Sequence, residues 1–164
     1  MFEALILAVE GFVQAYGLLG TFIVAFTESI IVPIPTATIV SSATTFGADP
    51  ILVTIIATIG SVLGAIVGYY LGVKLGRPVA KKYFGKHIPR VEAWFQKYGA
   101  WAVFIAAFTP IPFKVFAWMA GITKVNMKYF ILASIAGRFL QFLLAAYVGA
   151  LLGPWFLCLF GYSS

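Results

Sequence analysis

The chain has 164 residues, 62% of them hydrophobic and only 10% charged, with a mean hydropathy of +1.02. Soluble domains carry about 25% charged and 45–50% apolar residues, so a soluble chain of this size could not hide so much apolar surface. The formal charge of +6 does not point to nucleic acid, because seven of the eleven basic residues lie between Lys74 and Lys97, beside hydrophobic spans.

This composition predicts an all-α polytopic membrane protein forming a single membrane domain over residues 1–164. Cys158 and His87 are each alone of their kind, which excludes an intramolecular disulfide and argues against a Cys/His metal set. Neither a metal nor a cofactor is expected. Residues 1–15 hold Glu3 and Glu10 but no basic residue, so no secretory signal is expected. Leu5, Ile6, Val9, Phe12 and Val13 recur at helical spacing there. That helix is too short to span a bilayer and should lie at the interface or pack on the bundle.

An apolar run opens at Tyr16-Gly17 and ends near Phe46-Gly47. Pro33 and Pro35 divide it into two arms, each too short for a full span. Each proline lacks an N–H and disfavours helix in the residue before it. The expected form is a re-entrant hairpin turning at Pro33-Ile34-Pro35. Asp49 then reads as an N-cap with Pro50 at the first helical position. Ile51 to Val73 carries no charge and is the clearest transmembrane helix. Gly60, Gly64, Gly68 and Gly72 fall every fourth residue and share one face, which predicts a close helix crossing.

Residues 74–97 are strongly basic, with Glu92 as the one acid. Val91, Trp94, Phe95 and Tyr98 recur at helical spacing, so an interfacial amphipathic helix is predicted, its aromatics at headgroup level and its bases toward anionic lipid. A second broken run, Tyr98 to Gly121, turns at Pro110 and Pro112, with Lys114 just beyond. Tyr129 to Gly153 is a second span, interrupted by Arg138 and Gln141, and Pro154 to Ser164 is a short apolar tail.

The two halves resemble each other. Tyr16, Gly17, Phe22, Ile23, Ala25, Phe26 and Thr27 recur at an offset of 82. From the prolines onward the offset is 77: Pro33-Ile34-Pro35 matches Pro110-Ile111-Pro112, and Gly60, Leu63, Tyr70, Gly72, Leu75 and Gly76 recur too. The difference is an insertion, Glu28 to Val32, in the first copy. One crossing per copy makes this an inverted repeat of re-entrant hairpin plus transmembrane helix, with repeat 1 at about 16–76, the connector at 77–97 and repeat 2 at about 98–153. Transporters built this way place their sites at broken helices near the midplane. The positive-inside rule puts residues 74–97, Lys124 and Lys128 in the cytoplasm and both termini outside.

Three ionisable residues fall at membrane depth: Glu28, Lys114 and Arg138. Such residues face an interior, find a partner and mark substrate or proton pathways. Glu28 can pair with Lys114 or with Arg138, or carry a proton. Two cations against one carboxylate leave spare positive charge, which suits an anionic headgroup or phosphate. The plainer reading is a salt bridge that only locks the hairpins together.

Phe26-Thr27-Glu28-Ser29 with Pro33-Ile34-Pro35, the glycine face from Gly60 to Gly76, Phe108-Thr109-Pro110 with Lys114, Ala120-Gly121 and Gly137-Arg138 together resemble the DedA family, also called the SNARE-associated or VTT-domain family. The short YqaA-like branch is the nearest in character, and the resemblance covers about residues 16–153. It implies a polytopic protein of the cell (plasma or inner) membrane with two opposed re-entrant hairpins. It also implies movement of lipids between leaflets, as a scramblase or lipid-carrier flippase, or proton-dependent transport. Glu28 matches the family's first acid, Lys114 a position usually held by arginine, and Arg138 the second arginine. Ala37 stands where many members carry a second acid, which argues against a two-carboxylate proton relay. The expected function is a non-enzymatic lipid translocator, moving phospholipid or lipid-carrier headgroups through a groove between the hairpins. The alternative is a proton-coupled solute transporter using Glu28. Membrane lipids are the expected partners, with protons as a further ligand. No nucleophile–base pair is recognisable to support an enzyme.

Overall fold

The computed structural model describes residues 2–30, 36–45, 47–99, 101–109 and 113–159. Every regular element among them is helical: α1 (Phe2–Ile30), α2 (Thr36–Thr45), α3 (Pro50–Phe84), α4 (Ile88–Tyr98), α5 (Trp101–Phe108), α6 (Phe113–Ile122) and α7 (Met127–Leu159). The turn residues Pro33, Pro35, Pro110 and Pro112 lie outside the described residues.

Two stretches are long and apolar enough to cross a bilayer: Pro50–Gly76 of α3, with 27 residues, and Met127–Leu152 of α7, with 26. At 1.5 Å per residue each measures about 40 Å, against about 30 Å of hydrocarbon. The other apolar helices are shorter. The longest, α1 beyond Gly17, reaches only about 20 Å.

Local chemistry sets several boundaries. Asp49 caps α3 as expected, its Oδ1 accepting from the Leu52 N–H at 2.7 Å, with Pro50 opening the helix. Gly17 breaks α1 at φ 56°, ψ −129°, and Gly99 ends α4 at φ 55°, ψ −131°. Only glycine visits that region freely, and each of these two glycines follows a tyrosine and leads into an apolar arm. α3 bends again at Gly76, after which the basic connector begins.

The long helices α3 and α7 pack on each other. α3 also takes α1 and α6, and α7 takes α5 and α2. Each long helix is thus flanked by the first arm of its own run and the second arm of the other. Glycines permit these contacts. A Cβ on Gly60 would stand 2.6 Å from the Phe22 carbonyl, and one on Gly137 would stand 2.8 Å from that of Phe104. Gly72 abuts the Trp118 carbonyl, and Gly149 abuts that of Ser41. The outward faces of α3 (Leu52, Ile55, Ile59, Leu63) and α7 (Tyr129, Leu132, Leu140, Leu144) are exposed and apolar, as contact with acyl chains requires.

The connector is not one continuous helix. It forms two pieces, the end of α3 beyond Gly76 and α4. Trp94 meets Phe116 of α6 edge-on and Phe95 meets it tilted, with ring centroids 5.8 and 5.9 Å apart, while Val91 and Ile88 are buried. The apolar stripe covers α6 at Phe116. Lys81, Lys82, Lys86, Arg90 and Lys97 remain exposed. α7 also continues to Leu159, into the stretch read as a short tail.

Candidate functional site

Glu28 stands in the last turn of α1, and Thr36 is the first residue of α2. The Thr36 hydroxyl donates to Glu28 Oε2 at 2.5 Å. Arg138 of α7 lies 3.8 Å away, from its Nη2 to Glu28 Oε1. It is 11 residues past Met127, so it sits about 17 Å into the helix, at middle depth. The carboxylate therefore bridges the two ends of the first broken run to the second span.

Arg138 is 4% exposed. Its Nη1 donates to Gln141 Oε1 at 3.0 Å, and its guanidinium lies over the Phe113 ring at 4.4 Å and near the Phe142 ring at 5.5 Å. The aromatic faces compensate part of the desolvation, each worth about 0.5–2 kcal/mol. Guanidinium carries five N–H donors. At 3.8 Å the carboxylate is an ion-pair partner beyond hydrogen-bond length, and Nε is buried with no hydrogen-bond partner among the described residues. A buried arginine with donors to spare can take the oxygens of an anion in its planar fork.

Lys114 follows Phe113 at the start of α6, half-buried and within electrostatic range of Glu28. The structure thus brings Glu28, Arg138 and Lys114 to one place, where α1 ends, α2 and α6 begin, and α7 passes. Of the four glycines, Gly60 and Gly64 admit α1, while Gly68 and Gly72 admit α6, beside Trp118. They build the frame around the site and lie outside it.

Sequence reasoning missed four participants. Gln141 reads in the sequence only as an interruption of the span, although its i+3 spacing from Arg138 puts both on one helix face. Thr36 has no local signal beyond following the prolines. Ser29 and Ser61, both 0% exposed, share a hydrogen bond of 2.7 Å. The internal repeat could have found Ser61, because it occupies the position of Arg138 in the first copy.

A family model described as the VTT domain matches residues 32–151. An uncharacterized protein of Methanocaldococcus jannaschii is 35% identical over 130 residues, covering 79% of this chain and 81% of that one. An uncharacterized protein of Histophilus somni is 34% identical over 73 residues, covering 44% of this chain and 38% of the relative. The undecaprenyl phosphate transporter A of Staphylococcus aureus is 38% identical over 56 residues, which is 34% of this chain and 28% of that protein. Except for the Methanocaldococcus protein, these relatives are matched over less than two-fifths of their own length. No solved structure matches significantly. The match over most of the chain and the archaeal relative agree with the helical architecture and its two apolar spans: the chain belongs to the VTT-domain, or DedA, family of membrane proteins.

Proposed function

We propose that the protein moves an anionic lipid headgroup, of the phosphorylated lipid-carrier class, between leaflets, with Arg138 as its principal ligand. The observation that carries this is a mid-span arginine, buried against two aromatic rings, whose Nε has no partner among the described residues. The relative named as an undecaprenyl phosphate transporter supports the substrate class. Lys114 adds a second cation at the edge, and Glu28 holds Arg138 loosely enough to yield to a phosphate. The acyl chains stay in the bilayer beside the apolar faces of α3 and α7.

The architecture in this reading is an inverted repeat of two re-entrant hairpins, α1–α2 and α5–α6, each followed by one span, within a single membrane domain. Three features support it. The four hairpin arms are too short to cross. The contacts of Gly60 with Phe22 and Gly72 with Trp118 recur, at the sequence offsets of the repeat, as those of Gly137 with Phe104 and Gly149 with Ser41. Gly17 and Gly99 share one backbone conformation. The basic connector faces the cytoplasm of the cell membrane.

The test is reconstitution into liposomes carrying a labelled short-chain polyprenyl phosphate, with and without a pH gradient. The expected result is leaflet exchange in both conditions, reduced at least tenfold by Arg138→Ala. Solute uptake without lipid exchange would overturn this reading in favour of a proton-coupled carrier using Glu28.

A further inference from the structure

The last turn of α1 is held from two sides next to Glu28. On one side Ser29 shares its hydrogen bond with Ser61 of α3, inside a crossing where Gly64 abuts the Phe26 carbonyl. On the other side the Trp118 indole Nε1–H of α6 donates to the carbonyl of Ile30 at 3.3 Å. The final carbonyls of a helix lack intrahelical donors, and in an apolar interior each needs one from elsewhere. Trp118 is 2% exposed, and Gly68 and Gly72 make room for it on α3. Its N–H can only donate.

α6 therefore touches the site twice. Its first residues, Phe113 and Lys114, lie against Arg138 and near Glu28. Less than two turns on, Trp118 ties the end of α1. From this geometry we infer that Trp118 is a positioning residue, with Ser61 as its counterpart on α3. Together they fix the rotation and height of the α1 terminus, so that the Glu28 carboxylate meets Arg138 and Thr36. Because one rigid helix carries both the Arg138 platform and the α1 tie, displacement of Phe113 from Arg138 by an incoming headgroup strains the Trp118–Ile30 bond. The second hairpin thereby communicates with the carboxylate of the first.

This inference rests on the proposed role of Glu28, and the experiment separates the two. Trp118→Phe keeps an aromatic ring and removes the N–H. Ser61→Ala removes one hydroxyl and serves as the second variant if the first folds poorly. Each is measured alone and with Glu28→Gln, for exchange of the labelled polyprenyl phosphate in liposomes across pH 5.5–8.5 (about three decades of proton activity). Each single variant is expected to lower exchange about three- to tenfold and to shift its pH profile, with a modestly lowered thermal midpoint, since each removes one partner of a buried hydrogen bond. In the Glu28→Gln background neither should lower exchange further, because residues acting through one group are not additive. A loss that multiplies with that of Glu28→Gln, or an unchanged pH profile in both variants, overturns the positioning role while leaving Glu28 in place. Full exchange by Glu28→Gln alone overturns the role of Glu28 and the positioning role with it, while leaving Arg138 as the ligand.

Discussion

A guanidinium midway along an apolar helix has to be held by something, and here the holders are of mixed kind. Arg138 has one carboxylate at ion-pair distance, one amide oxygen and two aromatic faces. A purely structural salt bridge would be satisfied by a bidentate carboxylate at hydrogen-bond length. The loose pairing separates the two readings experimentally. Removing one partner of a well-buried, fully satisfied pair costs about 3–5 kcal/mol, and removing both restores much of that. Glu28→Gln is expected to cost nearer ~1 kcal/mol, because Gln141 and the rings remain and the amide can still accept from Thr36. Arg138→Ala should abolish lipid exchange while the protein still inserts. The double variant Glu28→Gln/Arg138→Ala should be as inactive as Arg138→Ala, whatever its stability in detergent. Full exchange by the double variant would remove both residues from the mechanism.

At the scale of elements, the glycine face of α3 divides its labour. Gly64 lies under the Phe26 carbonyl of α1, and Gly72 lies under the Trp118 carbonyl of α6. At Gly68 the nearest atom to an added Cβ is Trp118 Cδ1, at 3.3 Å, so a side chain rather than backbone must give way. A Gly→Ala change inside a helix gains about 1 kcal/mol of propensity, which overpacking of about 1–3 kcal/mol or more opposes. Gly64→Ala and Gly72→Ala should therefore lose about 1–2 kcal/mol net, read as a lowered thermal midpoint in detergent. Gly68→Ala should stay within about 1 kcal/mol of wild type. Equal losses at all three positions would mean that the crossing is set by helix spacing alone. The spacing in sequence identifies the face but not this ranking, which depends on whether a carbonyl or a ring edge lies opposite.

At the scale of the whole molecule, the bases of the polar segments gather in the connector and around the start of α7, with Glu92 as the one acid among them. Asp49 lies on the turn before α3, while exposed bases crowd the connector, Lys124 occupies the turn before α7 and Lys128 stands in the first turn of α7. If α5 and α6 form a re-entrant hairpin, the connector and Lys128 share a side of the membrane. With Cys158 replaced by serine, single cysteines at positions 49, 86 and 128 can be probed in intact cells with a membrane-impermeant thiol reagent. Position 49 should label from outside, and 86 and 128 only after permeabilisation. Labelling of 128 from outside would mean that the second run crosses the bilayer, and the two halves would no longer be opposed.

The sequence by itself determined the features that depend on local chemistry and on hydrophobic sums. Among these are the membrane class, the caps and breaks at Asp49, Gly17 and Gly99, the two spans, and the three charges that had no apolar reason to be where they are. Family membership was legible in the order and spacing of otherwise unspecific motifs. Only the tertiary structure showed how the two cations stand about Glu28, because Lys114 and Arg138 are equivalent to it in a linear chain. Distance across the bundle, not charge, placed Arg138 at 3.8 Å. Only the structure turned Trp94 and Phe95 inward onto Phe116, since an amphipathic pattern fixes which face is apolar but not what that face covers. It likewise brought Ser61 and Trp118 beside Glu28 from residues 33 and 90 positions away. Their hydrogen bonds have no sequence signature, because a hydroxyl or an indole N–H in an apolar helix looks the same whether or not a helix end lies opposite it.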